Sequence, residues 1–324
     1  MSRALAGRSR DVPALVAAAR DGDARAVARL LSLVEDADDC RPAIAAALTP
    51  FAGTAAVIGL TGSPGVGKST LTSALVGAYR RRGERVGVLA VDPSSPYSGG
   101  AILGDRVRMQ DHATDSGVFI RSMSSRGHLG GLSAAAPQAV RVLEGAGCTV
   151  VLVETVGVGQ AEVEVASLAD TTLVLVAPGM GDSIQAVKAG ILEVADVFVV
   201  NKADRDGADA TVRDLRGMLA LGDSTVDRWK PPVVRTVAAA GTGVDEVVDA
   251  IAEHRAWLAE HDTLRLRRER RAAAEVESLA LGLLRARVHA IPDPHSLTTL
   301  AGAVAAGQLD PFTAAETLVA ALPR

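Results

Sequence analysis

The stretch Ala55-Ala-Val-Ile-Gly-Leu60-Thr-Gly62-Ser-Pro-Gly-Val-Gly-Lys68-Ser69-Thr70 decides how the rest of this chain is read. Ala55–Leu60 is apolar without alternation, so it reads as a strand covered on both faces. GxxxxGK[ST] follows at once, and then a helical pattern running to about Arg82. Glycines at 62, 65 and 67 let backbone N–H groups turn inward around a phosphate chain. The helix start adds its positive end. On this reading Gly62, Ser63, Pro64, Gly65, Val66 and Gly67 wrap the phosphates. Lys68 reaches the β- and γ-phosphate oxygens, Ser69 ligates Mg²⁺ and Thr70 contacts the α-phosphate. A plain Gly-rich turn would leave the Lys68 and Ser69 pair without a reason.

Outward from this loop, short apolar runs alternate with helical stretches. The runs are Ala55–Leu60, Val86–Val91, Val118–Arg121, Val150–Glu154, Thr172–Ala177, Val197–Asn201 and Val233–Val237. This alternation predicts an α/β fold with a doubly wound, mostly parallel sheet. The expected organisation is a helical extension over 1–50, a P-loop domain over 51–253 and a helical arm over 254–324. Asp11 with Pro13, Asp23, and Asp310 with Pro311 are expected to open helices, the last running from Phe312 to Leu322. Five arginines between Arg265 and Arg271 read most simply as a solvated helix face.

Val197-Phe-Val-Val-Asn201-Lys202-Ala203-Asp204 carries NKxD at a strand end. An Asp204 carboxylate can accept two hydrogen bonds from the N1–H and N2–H₂ edge of guanine. Adenine has no such donor pair and would leave the charge unpaired. Asn201 can tie loops together, and the stem of Lys202 can lie over the ring. Val237, Ala238 and Ala239, after the next strand, are expected to close the base pocket, although Val237 brings no hydroxyl. Together with the P-loop, NKxD points to GTP and GDP as ligands.

Three acids stand where a ligand crevice would use them, Asp92 and Glu154 at strand ends and Asp105 in a Gly-rich loop. With Ser69 they are the expected metal residues, since Mg²⁺ takes one or two carboxylates and keeps water and phosphate oxygens. Lys68 and Glu154 are the expected catalytic residues. Gly157 is followed by Val158, and the nearest glutamine is Gln160. A glutamine directly after that glycine would orient the attacking water, so intrinsic hydrolysis is expected to be slow and raised by a partner.

Composition narrows the alternatives. The chain has 324 residues, 48% of them hydrophobic and 22% charged, enough apolar material for a core and for about two domains. Aromatics make up 2% and the net charge is −4, which argue against a nucleic-acid binder that stacks bases or neutralises phosphates. No run reaches the roughly 18 apolar residues of a membrane span. Cys40 and Cys148 form no CxxC pair, which excludes a zinc ribbon and fits a cytoplasmic location. Arg3, Arg8 and Arg10 lead into a helical pattern without an apolar segment, so the first residues read as a frayed terminus.

The chain resembles the methylmalonyl-CoA mutase-associated GTPases, the MeaB/ArgK group to which the human MMAA protein also belongs, in the SIMIBI class of P-loop proteins. The matching stretches are GSPGVGKST (62–70), VDPSSP (91–96), GGAILGDRVRM (99–109), FIRSM (119–123), RGHLGG (126–131), ETVGVGQAEVEVA (154–166), PGMGDSIQAVKAGILEVAD (178–196) and NKAD (201–204). The resemblance implies a GTPase chaperone for an adenosylcobalamin-dependent acyl-CoA mutase. Such a protein gates cofactor loading from a cobalamin adenosyltransferase and protects the mutase. It also implies switch regions at about 92–105, 154–164 and 179–188, with Gly157, Gln160, Asp182 and Lys188 among their residues. A homodimer formed through the C-terminal arm is implied as well. A P-loop kinase and a metal-insertion GTPase are the alternatives. NKAD speaks against the first, and the lack of a Cys–His cluster speaks against the second.

Overall fold

The computed structural model describes residues 11–36, 39–93, 112, 114–125, 135–155, 161–179, 193–220 and 228–322. Its frame is a seven-stranded, all-parallel sheet: β1 (Ala56–Thr61), β2 (Val86–Pro93), β3 (Val118–Ser125), β4 (Val150–Thr155), β5 (Thr171–Val176), β6 (Val197–Val200) and β7 (Val233–Arg235). The order across the sheet is β3-β2-β4-β1-β5-β6-β7. Each of the seven apolar runs is a strand, with ends moved by a residue or a few.

Neighbouring residues along a strand enter opposite cores, as the unalternating pattern requires. Val57, Val151 and Val153 face one side with α1 (Val12–Arg20), α2 (Ala24–Glu35), α3 (Arg41–Leu48) and α5 (Ala136–Gly145). Ile58, Leu60, Leu152, Leu173 and Leu175 face the other with α4 (Lys68–Arg81) and α8 (Val244–Glu260). Val174, Val176, Phe198 and Val200 pack under α7 (Ala208–Ala220). A further helix, α6 (Ala161–Leu168), follows β4 and contributes Val165 and Leu168 to the first core. The amino-terminal helices share this core: Leu30, Leu33, Ile44 and Leu48 are fully buried beside Leu143. The capping aspartates do what their positions suggest. The Asp11 side chain accepts from the Ala14 N–H, and that of Asp23 from the Arg25 N–H.

The chain divides into two compact units, 1–268 and 269–324, and the boundary falls inside α9 (Thr263–His289). Within the first unit the arginine cluster departs from the solvated face that the sequence suggests. Arg267 donates to both Asp196 carboxylate oxygens, at 2.8 and 2.9 Å. Arg268 donates to Asp170 at 2.8 Å and to the carbonyls of Gly53 and Ala55. Arg265 makes an exposed pair with Asp262. The physical reason is that Asp170 and Asp196 are buried where β5 and β6 begin, and buried carboxylates need cationic or N–H partners. Asp196 also accepts from the Thr172 N–H, and Asp170 from the Val57 N–H. His254 is fully buried. Its Nδ1 lies 2.9 Å from Thr171 Oγ1, and its Nε2 comes within 3.2 Å of Asp196 without a well-aligned hydrogen bond.

Burial pushes the Asp196 carboxyl up, but its contacts with His254 and Arg267 outweigh that and hold it below the usual carboxylate range. A folded-state pKa below the unfolded value gives stability that is present above the unfolded pKa, about 4, and lost as pH falls through the folded pKa. Asp196→Asn is therefore expected to lower the melting temperature at pH 7 and to flatten the fall in stability below about pH 4. A variant that keeps the wild-type acid slope by calorimetry would overturn this assignment.

The second unit is helical, with α10 (Leu297–Ala305) and α11 (Pro311–Ala320) after the end of α9. Asp310 caps α11 by accepting from the Phe312 and Thr313 N–H groups. No residue of α9 is buried, and Val276, Leu281 and Leu283 stand 58–66% exposed. Among the described residues no helix is long and apolar enough to cross a membrane. Cys148 is buried, which pushes its thiol up to about 12 and leaves it protonated and inert.

Candidate functional site

The loops after β1, β6 and β7 meet the end of β4 at the carboxyl edge of the sheet, where parallel α/β folds bind ligands. The P-loop leaves β1 and turns into α4 through Gly67, whose φ of +98° only glycine adopts without strain. A Cβ there would also collide with the Asn201 amide. At Gly62, with φ +138°, a Cβ would strike the Leu175 carbonyl of β5. Lys68, the first residue of α4, is buried and curls back so that Nζ donates to the carbonyls of Gly62 and Ser63. Those two oxygens hold the ammonium over the loop. Pro64, Gly65 and Thr70 are exposed, Ser63 and Gly67 half-buried, and Val66 is buried as the loop's apolar anchor.

Asn201 follows β6 and joins three segments. Its Nδ2 donates to the Val66 carbonyl at 2.9 Å, while Oδ1 accepts from the Ala238 N–H and from Thr236 Oγ1, both at 3.1 Å. This buried amide therefore ties the P-loop to the turn after β7. Lys202 takes the left-handed conformation, φ +57°, and its Nζ reaches the Gly65 carbonyl at 2.6 Å. Its stem thus bridges toward the phosphate loop. Asp204 is exposed. Ala238 and Ala239 lie in the short 3₁₀ turn Ala238–Ala240, and Val237 caps it.

Thr236 is a site residue that the sequence reading passes over. Val237 brings no hydroxyl, yet Thr236, the residue directly after β7, supplies one. A threonine at the carboxyl end of the strand following NKxD is the signal that finds it.

On the metal side, Glu154 is the penultimate residue of β4 and is buried. Its Oε1 lies 2.5 Å from Ser69 Oγ and its Oε2 2.8 Å from Thr72 Oγ1. Hydroxyl and carboxylate are hard oxygen donors, which suit Mg²⁺ rather than a soft transition metal. Among the described residues no three His, Cys, Asp or Glu side chains form a metal cluster. Asp92 sits at the end of β2, in register with Ser124 of β3, and its side chain lies outside the described residues. Asp105, Gly157, Gln160, Asp182 and Lys188 also lie outside them.

The model of the family "Methylmalonyl Co-A mutase-associated GTPase MeaB" matches residues 27–293. A Pyrococcus abyssi protein named as a GTPase is 44% identical over 310 residues, covering 94% of this chain and 95% of its own. The GTPase ArgK of Escherichia coli is 41% identical over 246 residues, 74% of either chain. Among solved structures, that of a LAO/AO transport system kinase superposes with a TM-score of 0.71 at 28% identity, covering 97% of this chain and 98% of that one.

Proposed function

Because this chain belongs to the methylmalonyl-CoA mutase-associated GTPase family and is a GTPase of the MeaB/ArgK kind, we propose that its GTP cycle gates adenosylcobalamin loading of an adenosylcobalamin-dependent acyl-CoA mutase, methylmalonyl-CoA mutase first among them, and protects that enzyme. A cobalamin adenosyltransferase is the proposed source of the cofactor, and the cytoplasm the proposed location.

The observation that carries the nucleotide reading is the Asn201 side chain, bonded at once to the P-loop and to the turn after β7. Base reading and phosphate binding are thereby one rigid assembly. Asp204 accepts the guanine N1–H and N2–H₂ donors, and Val237 to Ala239 close over the ring. Residues Gly62 to Gly67 and Thr70 bind the phosphates through backbone and hydroxyl donors. Lys68 leaves its carbonyl partners to stabilise charge on the transferring phosphoryl group. Ser69, Glu154, Asp92 and Asp105 are the proposed residues for Mg²⁺. When bound, the ion would neutralise charge on the phosphate oxygens. The segments containing Gly157, Gln160, Asp182 and Lys188 are the proposed switches that carry nucleotide state to the mutase.

The test is GTP turnover by the pure protein, alone and with the apo-mutase of the same source. A rise on adding mutase, absent with ATP, is expected. No rise with any adenosylcobalamin mutase would overturn the chaperone role while leaving the GTPase.

We also propose a homodimer through the second unit. Supporting it, the apolar side chains of α9 are too exposed to be at rest in water. Leu283→Glu is expected to shift the protein from dimer to monomer in sedimentation velocity. A wild-type protein that sediments as a monomer at about 100 µM, roughly a hundred times a micromolar Kd, would overturn the dimer.

A further inference from the structure

At the head of α4 two hydroxyls converge on one carboxylate. Ser69 and Thr72 are three residues apart and share a helix face. Glu154, only 3% exposed, offers Oε1 to Ser69 and Oε2 to Thr72, and Thr72 itself is fully buried. A carboxylate this enclosed keeps its charge only if its oxygens receive donors.

Thr72 Oγ1 has one proton and two acceptors within reach, Glu154 Oε2 at 2.8 Å and the Lys68 carbonyl at 3.1 Å. The carboxylate is both nearer and charged, so it takes the proton. The Lys68 carbonyl keeps its place in the helical hydrogen-bond ladder. Thr72 thus has a different task from an ordinary helical threonine, which would spend its hydroxyl on the preceding turn.

We propose that Thr72 is a positioning residue for the magnesium site: its buried hydroxyl anchors Glu154 Oε2, which leaves Oε1 directed at the metal-ligating hydroxyl of Ser69. This rests on the reading of Ser69 and Glu154 as metal-side residues. Without the anchor, one of the contacts that fix the broad terminal torsion of Glu154 is lost, and the oxygen facing Ser69 is held less tightly. Partners that orient metal-site groups in this way are worth about 10- to 100-fold in metal affinity.

The experiment compares wild type, Thr72→Val and Thr72→Ser. Mn²⁺ binding to the GDP complex is read by electron paramagnetic resonance, and GDP affinity is measured separately in EDTA. Valine keeps the shape and removes the proton; serine keeps the proton and removes the methyl. Thr72→Val is expected to weaken Mn²⁺ binding about 10-fold or more, Thr72→Ser to match wild type, and all three to bind GDP alike in EDTA. Mn²⁺ bound equally by Thr72→Val and wild type overturns the proposal and leaves the metal reading intact. Thr72→Ser as weak as Thr72→Val also overturns it, because packing and not the hydroxyl would then be responsible. A wild-type GDP complex that binds no Mn²⁺ overturns the metal reading and the proposal with it. Thermal unfolding in EDTA checks that each variant folds. Should Thr72→Val not fold, Thr72→Ala, which leaves room beside Oε2, is judged by the same criteria.

Discussion

Lys68→Ala is expected to lower GTP turnover by about 10²- to 10³-fold or more, the cost of deleting one pre-positioned donor from a charged transition state. The structure explains why the loss should fall on the chemical step as well as on binding. The ammonium is buried and held by the Gly62 and Ser63 carbonyls above the phosphate loop, so it starts beside the phosphates and has only to exchange those carbonyls for phosphate oxygens. An alanine removes the charge and lets those two carbonyls face the phosphate oxygens, a repulsive arrangement. Single-turnover hydrolysis with saturating GTP separates the two effects. A hydrolysis rate within threefold of wild type at saturation would remove Lys68 from the chemistry. The fold should survive, because the wall of the loop is built by Val66 and by the Asn201 bridge, which the substitution does not touch.

Asp204→Ala is expected to weaken GTP by about 10²- to 10⁴-fold, from two lost hydrogen bonds to a charged acceptor at about 1.5–3 kcal/mol each. ATP affinity is expected to be poor in the wild type and unchanged in the variant. Discrimination between the two nucleotides therefore collapses from the guanine side. Asp204 is exposed and follows the left-handed Lys202, whose φ of +57° turns the chain just past the carboxyl end of β6. The carboxylate has no structural task in the buried core, so melting temperature without nucleotide should move little. Equilibrium titration with a fluorescent GDP, competed by GTP and ATP, reads the outcome. Equal loss for both nucleotides would mean that Asp204 does not read the base.

The two variants probe the halves of one assembly, and Asn201 is what makes it one. Its amide spans from the Val66 carbonyl to Thr236 and Ala238. Loss of either half should therefore leave the other in place, and the double variant should behave as the sum of the singles within a few tenths of a kcal/mol.

The α/β architecture, the position of each strand and the residues of both nucleotide motifs were legible in the amino-acid sequence. They are local: an unalternating apolar run is a doubly covered strand wherever it occurs, and GxxxxGK[ST] between strand and helix has one geometry. The capping aspartates at 11, 23 and 310 were legible for the same reason, since a cap acts within three residues. What needed the folded chain were contacts between distant segments. Arg267 and Arg268 look like any basic helix face until Asp196 and Asp170, 71 and 98 positions away, are buried beside them. Thr236 becomes a site residue only because Asn201, 35 positions earlier, turns its oxygen toward it. Thr72 reads as a helix residue of no consequence until β4 brings Glu154 to within 2.8 Å of its hydroxyl, 82 positions along the chain. Sequence by itself determined which elements form and which ligand they suit. The tertiary structure decided which buried charges must be answered, and by whom, because the cost of an unpartnered charge exists only where folding has taken the water away.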